Sequence, residues 1–301
     1  MSNRTDVRRF WLTNGKNEVF SFMGKEPFLH NPSGLGYQVE LQTVQLGTNQ
    51  LITAERYDLG TFTADLVFFG NRPTQYQAYQ TFLRFIRWLP LQLHYALPNS
   101  SEEYYCYVRI NSLQKSEISP TDNVLHVPVT MLRLSMWYEG TEHVIEVDNA
   151  PSVDVKQYAL TRQYRYGEMS TGYVELYCEG QTDTPFRIEV TGSATNITYD
   201  VYDLNIGTDT LGDKYGAGKI TGTYDKIIVN SDELNETLYL ENGGSVISNA
   251  INYQDLTVGA PPNTYVTFIK LRPGRSGIYF TYDNAFAGSV KVSWRNAYVT
   301  I

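Results

Sequence analysis

Two short segments have residue types and spacings close to those of ligand-binding loops. Gly212–Lys219 (GDKYGAGK) resembles a phosphate-binding loop, but that motif needs a glycine at position 213 and a serine or threonine at position 220. Asp213 and Ile220 stand there, so the pattern predicts a hairpin or loop between strands. Asp203–Asp209 alternates oxygen-bearing side chains as a calcium loop does, but Lys214 occupies the position of the closing glutamate. A polar turn is favoured there, and a calcium site of another kind stays open.

Groups for covalent catalysis are sparse. The four histidines all lie before residue 145: His30, His94, His126 and His143. The second half therefore cannot build a Ser-His-Asp triad, and neither half contains a G-x-S-x-G segment. Glu102 and Glu103 fall in a predicted hairpin turn, and Cys106 and Cys178 are interpreted as small buried apolar side chains. We expect no catalytic, cofactor-binding or metal-binding residues, and a protein that is not an enzyme.

Composition predicts a β-rich protein of two domains. The chain has 301 residues, about twice the length of a common domain, and its 24 tyrosines suit pleated, half-buried surfaces. The net charge is −8 and no block of lysine or arginine occurs, which argues against nucleic-acid binding. No apolar run approaches the length of a membrane span, and the N-terminal segment lacks the apolar core of a signal peptide. We expect neither membrane insertion nor Sec export.

The two halves differ in their predicted elements. After Pro73, apolar residues at helical spacing predict one helix that begins near Thr74 and stops at Pro90. Strands are predicted over 91–97, 104–118 and 124–139, and residues 37–66 are predicted to form a long two-stranded arm. The second half shows short strands about every ten residues, separated by Gly, Asn and Asp turns, as in an antiparallel sandwich or jelly roll. The boundary is placed between residues 140 and 155.

The order of features in the first half resembles a known family. Asn31–Gly36 (NPSGLG) is followed by the arm, by the helix ending in FIRW, and by strands closing on Leu134–Tyr138 (LSMWY). This order is similar to the N-terminal domain of the distal tail proteins of long-tailed, non-contractile bacteriophages. The C-terminal segment Gly288–Ile301 also resembles the closing strand of that family.

The resemblance implies a fold and a role. The fold would be mainly β: residues 1–145 a sandwich-like ring domain with one helix and a long hairpin, residues 146–301 a galectin-like antiparallel β-sandwich. The ring domain would close into a homo-hexamer at the end of the tail tube, in the virion, after assembly in the host cytoplasm. Implied partners are the tail tube protein, a tail-associated lysin or fibre protein, and a receptor-binding protein or other baseplate component. DNA would pass through the lumen without specific binding.

The residues also fit this role. In a monomer the strand edges of residues 37–66 would stay unpaired and open to association with another chain. We therefore expect these residues to form a belt of contacts between subunits. In the second domain the loops 204–219 and 241–263 are candidate contact surfaces. The sugar site of galectins uses His, Asn, Arg and a stacking Trp, whereas residues 146–301 have no histidine and only Trp294.

Two other functions stay open. A carbohydrate-binding module could grip cell-wall saccharide through Tyr199, Tyr202 and Tyr215. A glycan-degrading enzyme with a β-sandwich accessory domain is the third alternative.

Overall fold

The chain divides into two compact units, Met1–Thr141 with Tyr298–Ile301, and Glu142–Ala297. The computed structural model describes residues 7–24, 27–118, 123–148, 171–205, 212–232, 234–248, 265–266, 268–283 and 286–301. Within these ranges the fold is mainly β, with one α-helix and antiparallel sheets, as predicted. In the same ranges no helix has the length and apolar character needed to cross a membrane.

The first unit is built on one antiparallel sheet. Its strands up to the boundary are β1 (Arg9–Thr13), β2 (Val19–Ser21), β3 (Phe28–Ser33), β6 (Thr61–Phe68), β7 (Leu91–Ala96), β8 (Glu103–Leu113), β9 (Leu125–Arg133) and β10 (Trp137–Glu139). The main strand order is β2-β1-β7-β8-β9-β6-β3, so β2 and β3 form the two edges. Alternate residues of β6, β7 and β9 point into an aromatic-rich core that includes Phe62, Phe82 and Trp137.

The helix α1 spans Arg72–Phe85 and begins earlier than the sequence predicts. Its N-cap is Asn71, whose side chain accepts a hydrogen bond from the Thr74 backbone N–H at 3.0 Å. The predicted start at Thr74 was wrong because Pro73 is tolerated in the first helical turn, where its missing N–H has no intrahelical acceptor. The helix ends at Phe85 rather than at Pro90, and it buries Tyr79, Phe82 and Phe85.

Two strands of the first half leave this sheet. Among the strands that the structure describes, β4 (Gln38–Leu46) and β5 (Asn49–Asp58) pair only with each other and form a separate two-stranded sheet. We call residues 38–58 the arm. The predicted arm of residues 37–66 is too long at its end, because Thr61–Phe68 belongs to the main sheet and pairs with β9.

The second unit is built on one antiparallel sheet in which β13 and β14 are central. Its strands are β11 (His143–Asp148), β12 (Thr171–Cys178), β13 (Phe186–Asp203), β14 (Asp213–Asn230), β15 (Thr237–Asn242), β16 (Ser245–Ser248), β17 (Tyr265–Val266), β18 (Gly274–Thr281) and β19 (Ser289–Trp294), and the last strand, β20 (Ala297–Tyr298), belongs to the sheet of the first unit.

Two long strands run through both halves of this sheet, which we call its layers: β11 and β19 lie in one, and β12 and β18 in the other. β13 and β14 have 18 residues each, and the first part of β13 pairs with β19 whereas its last part pairs with β18. Their ladder is interrupted between Thr191 and Ala194 and again between Thr195 and Ile197. Bulges increase local twist and bend a strand, which lets one strand serve two layers. Asn196 supports this corner by accepting a hydrogen bond from the Gly222 N–H at 2.7 Å.

Candidate assembly surface

The arm carries an unusual amount of exposed apolar surface. Every side chain of β4 is exposed, as are residues 49–54 of β5. Six aliphatic side chains on it expose between 37% and 61% of their surface: Val39, Leu41, Val44, Leu46, Leu51 and Ile52. A two-stranded ribbon is marginally stable alone in water, so this surface favours a partner that covers it.

The register places these side chains on both faces of the arm. Leu41 alternates with Val39 on β4, and Ile52 lies opposite Thr43 on the same face. Val44 lies directly opposite Leu51 on the other face, with Leu46 two residues further along. The extra residue between the paired Ala54 and Ile52 is Thr53, whose hydroxyl donates to the Gln42 carbonyl at 3.1 Å. The base of the arm is therefore apolar on one face and its tip on the opposite face.

A buried arginine fixes the root of the arm. Arg133 is 2% exposed, and its guanidinium donates to the Gly36 carbonyl at 2.7 Å and to the Leu59 carbonyl. These carbonyls lie on the two chain segments that enter and leave the arm. Burial lowers the pKa of Arg133, and among the described residues no carboxylate forms an ion pair with it. Its planar fork of donors is thus used to hold two backbone segments together.

Two further contacts hold the same root. The Trp137 indole N–H donates to the Leu35 carbonyl at 3.2 Å, and the Arg133 guanidinium lies 5.9 Å from the Trp137 ring centroid. Gly34 has a φ of +90°, and a Cβ there would meet the Thr61 carbonyl oxygen at 2.0 Å. Only glycine fits this close approach. A cleft of about 680 Å³ opens beside the root, lined in part by Tyr37, Asp58 and Leu132.

The first unit matches a known family over most of its length. Residues 9–134 match the family model described as distal tail protein, N-terminal domain. The first unit is therefore similar to the N-terminal domain of the distal tail proteins. The match includes the arm, its root and the helix, so the predicted resemblance is confirmed.

Solved structures extend the likeness to both units of this chain. Its fold is similar to a chain in two structures of the phage P2 baseplate in its activated conformation, one with calcium and one with strontium. In each case the identity is 14%, 98% of this chain and 100% of the other are covered, and the TM-score is 0.59.

A third structure shares the fold. It is the SPP1 Dit protein, described as a paradigm of the hub adsorption apparatus in phages that infect Gram-positive bacteria. That chain is 14% identical, with 95% of this chain and 98% of the other covered and a TM-score of 0.55. No curated protein sequence matches this chain.

The two segments that resemble ligand-binding loops have structural roles in the fold. Residues 213–219 lie in β14, with Lys219 opposite Thr198, so they form a strand rather than a phosphate loop. Asp203 is buried and its carboxylate lies 3.3 Å from the Arg272 guanidinium, while Asn205 donates to the Pro273 carbonyl. Asp209 lies outside the described residues. No group of three metal-binding side chains occurs in the part of the chain that the structure describes.

The three predicted saccharide-binding tyrosines are separated by the fold. Tyr199 is 2% exposed and belongs to the core of the second unit. Tyr215 donates or accepts a hydrogen bond with Ser276 at 2.9 Å and lies under the Arg272 guanidinium, 4.5 Å away. Only Tyr202 lies on an outer face. Of the predicted contact loops, residues 206–211 and 249–263 lie outside the described residues.

A His-Trp-Asn cluster exists in the second unit, contrary to the expectation from a boundary at residue 145. His143 on β11 stacks on Trp294 with ring centroids 5.2 Å apart, and its Nε2 lies 3.2 Å from the Asn296 amide. Trp294 is 6% exposed and Asn296 is fully buried. The Trp and Asn of the cluster are therefore buried in the fold, and only the half-buried His143 reaches the surface.

Arg133 is the residue that the sequence reading missed. The inward alternation of Leu125, Val127, Val129 and Met131 continues to position 133, where an arginine stands. An arginine in the buried phase of a strand is a signal for a specific polar partner. Its partners, two carbonyls on distant segments, are visible only in the fold.

Proposed function

We propose that this chain is a distal tail protein, a structural hub of a phage baseplate that closes into a homo-hexameric ring at the end of the tail tube. The single observation that carries the proposal is the arm, with six exposed aliphatic side chains on a ribbon that pairs with no other described strand. A second copy of the same chain is the partner that is available to the arm wherever the protein is made. A heterologous contact that closes by rotation would cover every arm in the ring.

The division of labour follows the two halves. In this proposal the first unit forms the ring domain and the second unit forms a galectin-like docking domain for host-recognition components, with the boundary after Thr141 rather than at the predicted residue 145. We propose as partners the tail tube protein, a tail-associated lysin or fibre protein, and a receptor-binding protein. The names of the similar solved chains, which are baseplate and hub proteins, support this assignment.

The proposed role is not enzymatic and belongs to the virion. Subunits would assemble in the host cytoplasm and join the tail tip, and DNA would pass through the ring lumen without specific binding. The net charge of −8 supports the last point, since a lumen without concentrated positive charge does not retain phosphates.

Shortening the arm tests the proposal. Leu41 and Glu55 are directly opposed, so residues 42–54 can be replaced by Asn-Gly, which closes a two-residue hairpin turn. The shortened variant keeps the root contacts of Arg133. We expect the full chain to sediment as a hexamer and the shortened variant as a folded monomer.

The matched control replaces the turn residues Ser100, which is half-buried, and Ser101, which is exposed, in the β7–β8 hairpin by Asn-Gly. This variant should keep the ring. A hexamer formed by the arm-shortened variant, or a monomeric full chain at every concentration tested, would contradict the proposal.

A further inference from the structure

The second unit has an outer sheet face on which three tyrosines lie together. Tyr173 on β12 is opposite Tyr279 on β18, and Tyr202 on β13 is opposite Gly277, two residues along β18 from Tyr279 and on the same face. The ring centroids of Tyr173 and Tyr279 are 4.5 Å apart, and those of Tyr202 and Tyr279 are 5.5 Å apart. We call Tyr173, Tyr202 and Tyr279 the tyrosine face. The three strands come from distant parts of the sequence, so the face exists only in the folded unit.

Charged groups border the tyrosine face in neutral pairs. Arg275 donates through Nε to Glu175 at 2.9 Å, and the Tyr173 hydroxyl lies 3.4 Å from the same carboxylate. Lys214 lies 2.7 Å from Asp200, whose other oxygen is 3.5 Å from the Tyr202 hydroxyl. All four charged side chains are more than a third exposed. The border therefore offers donors and acceptors to solvent with no excess of charge.

Gly277 forms the floor between these rings. It lies between Glu175 on one neighbouring strand and Tyr202 on the other. A Cβ at this position would lie 3.0 Å from Cε2 of Tyr173, closer than side chains normally approach. The missing side chain lets the Tyr173 ring lie across the strand, so that its flat surface is presented along the sheet.

The composition of the face distinguishes between two kinds of ligand. The paired segments 171–178, 198–203 and 274–281 place no valine, leucine or isoleucine on it, and Leu204 lies at its margin, half-buried. The centre of a protein–protein interface is depleted in charged residues. A sugar ring instead combines an apolar C–H surface, which stacks on aromatic rings, with hydroxyl groups that need donors and acceptors. The tyrosine face offers both.

We propose that the tyrosine face binds a neutral saccharide chain. The tyrosine rings stack on successive sugar units, and the Glu175–Arg275 and Asp200–Lys214 pairs bind their hydroxyl groups. The internal neutralisation of both pairs selects an uncharged glycan over an anionic one. This inference goes beyond the proposed hub role and does not depend on ring formation.

Titration of the full chain with three linear tetrasaccharides tests the proposal. The probes are chitotetraose, cellotetraose and maltotetraose, followed by calorimetry and by tyrosine difference absorbance. We expect at least one to bind with a Kd on the order of 1 mM. Tyr279→Ala should weaken that binding at least about tenfold, as truncation of an aromatic anchor does, while Tyr279→Phe keeps the ring and should stay within about threefold.

Tyr239 provides the matched control. It lies on β15 and donates its hydroxyl to Glu241 at 2.8 Å, much as Tyr173 does to Glu175, but no stacking with another described aromatic ring occurs there. Tyr239→Ala should leave saccharide binding unchanged. Sedimentation of each variant separates this test from that of the hub role, because the ring mass should not change.

Three results would overturn the proposal. The first is that the wild-type chain binds none of the three probes at a probe concentration about 10-fold above the expected Kd. The second is equal binding by wild type and Tyr279→Ala. The third is loss of another tail protein from particles carrying Tyr279→Ala while the wild type binds no saccharide, which would make the tyrosine face a protein-docking surface.

Discussion

The arm and the β13–β14 pair are both long antiparallel ladders, yet they have opposite surroundings. In β13 and β14 buried and half-exposed residues alternate, so that Val201, Ile220 and Ile227 point into the core. In β4 every side chain is exposed, although the strand contains two valines and two leucines. The ladder hydrogen bonds are equivalent in the two regions. The comparison indicates that a strand pair in this protein is stabilised by burial of one apolar face rather than by its ladder hydrogen bonds.

The distribution of apolar side chains explains the difference. On β13 the apolar residues lie on one face over most of the strand, so that this single face packs in the core of the second unit. The arm divides its aliphatic residues between both faces, so no single surface of its own subunit could cover them. Two separate contacts, one at the base and one at the tip, fit this pattern.

Two matched isoleucine truncations should show the largest contrast. Ile227 is 1% exposed on β14, and Ile52 is 55% exposed on β5. Ile227→Ala should lower the free energy of unfolding by about 2–5 kcal/mol, since it leaves a cavity in the core. Ile52→Ala should change the stability of the protomer by less than about 0.5 kcal/mol and instead weaken assembly.

Chemical denaturation of dilute protein and sedimentation at rising concentration separate the two quantities. A loss of protomer stability on Ile52→Ala as large as that on Ile227→Ala would show that the arm packs on its own subunit. The comparison between the regions would then fail.

Arg133 connects the arm to the sheet, and its removal should have a smaller effect. Arg133→Ala leaves the carbonyls of Gly36 and Leu59 without their donor, which should cost about 2–3 kcal/mol of unfolding free energy. Hydrogen exchange should accelerate in residues 38–58 more than in β9. Arg133→Lys keeps a charge but not the planar fork, and should fall between wild type and alanine. Unchanged exchange in the arm would mean that Arg133 does not hold the root.

Protonation of His94 should have the smallest effect on stability, and it acts on the main sheet of the first unit rather than on the arm. It stacks on Trp11 at 5.0 Å, contacts the Thr13 hydroxyl at 2.9 Å and faces the Tyr105 ring, and burial lowers its pKa to about 4. Between that value and an unfolded pKa of about 6.5, the unfolded chain binds the proton more readily. Stability should therefore be complete above pH 6.5 and fall by on the order of 2 kcal/mol towards pH 4.

The His94→Gln variant isolates this contribution. Unfolding free energies of wild type and variant, measured from pH 7 to pH 4, should converge as the pH falls. Parallel curves would show that His94 does not titrate in this window.

Local patterns predicted much of the fold. Helical spacing after Pro73 identified α1 and its buried Tyr79 and Phe82, and alternation identified β9 and its inward residues. The helix ends were misplaced because the Asn71 side chain caps the helix and its last turn ends before Pro90. The end of the arm was misplaced because alternating residues stand both before and after Leu59 and Gly60. The pattern therefore does not show that the arm ends there and the core strand β6 begins.

Functional surfaces were harder to predict because they depend on pairings between distant strands. Alternation alone places Tyr199 and Val201 on one face of β13 and Tyr202 on the other. The neighbours of Tyr202 come from β12 and β18, and only the register brings Tyr173 and Tyr279 beside it. The arm could be recognised as extended, whereas its division into a base and a tip with opposite apolar faces requires the register of β4 and β5.

A cryo-electron microscopy reconstruction of the purified full chain tests the central claim most directly. The account predicts a closed ring of six copies in which the arm of each copy lies on its neighbour and Val39, Leu41 and Ile52 are covered by that copy. Single protomers at high concentration, with the arm folded back onto their own sheet, would contradict it.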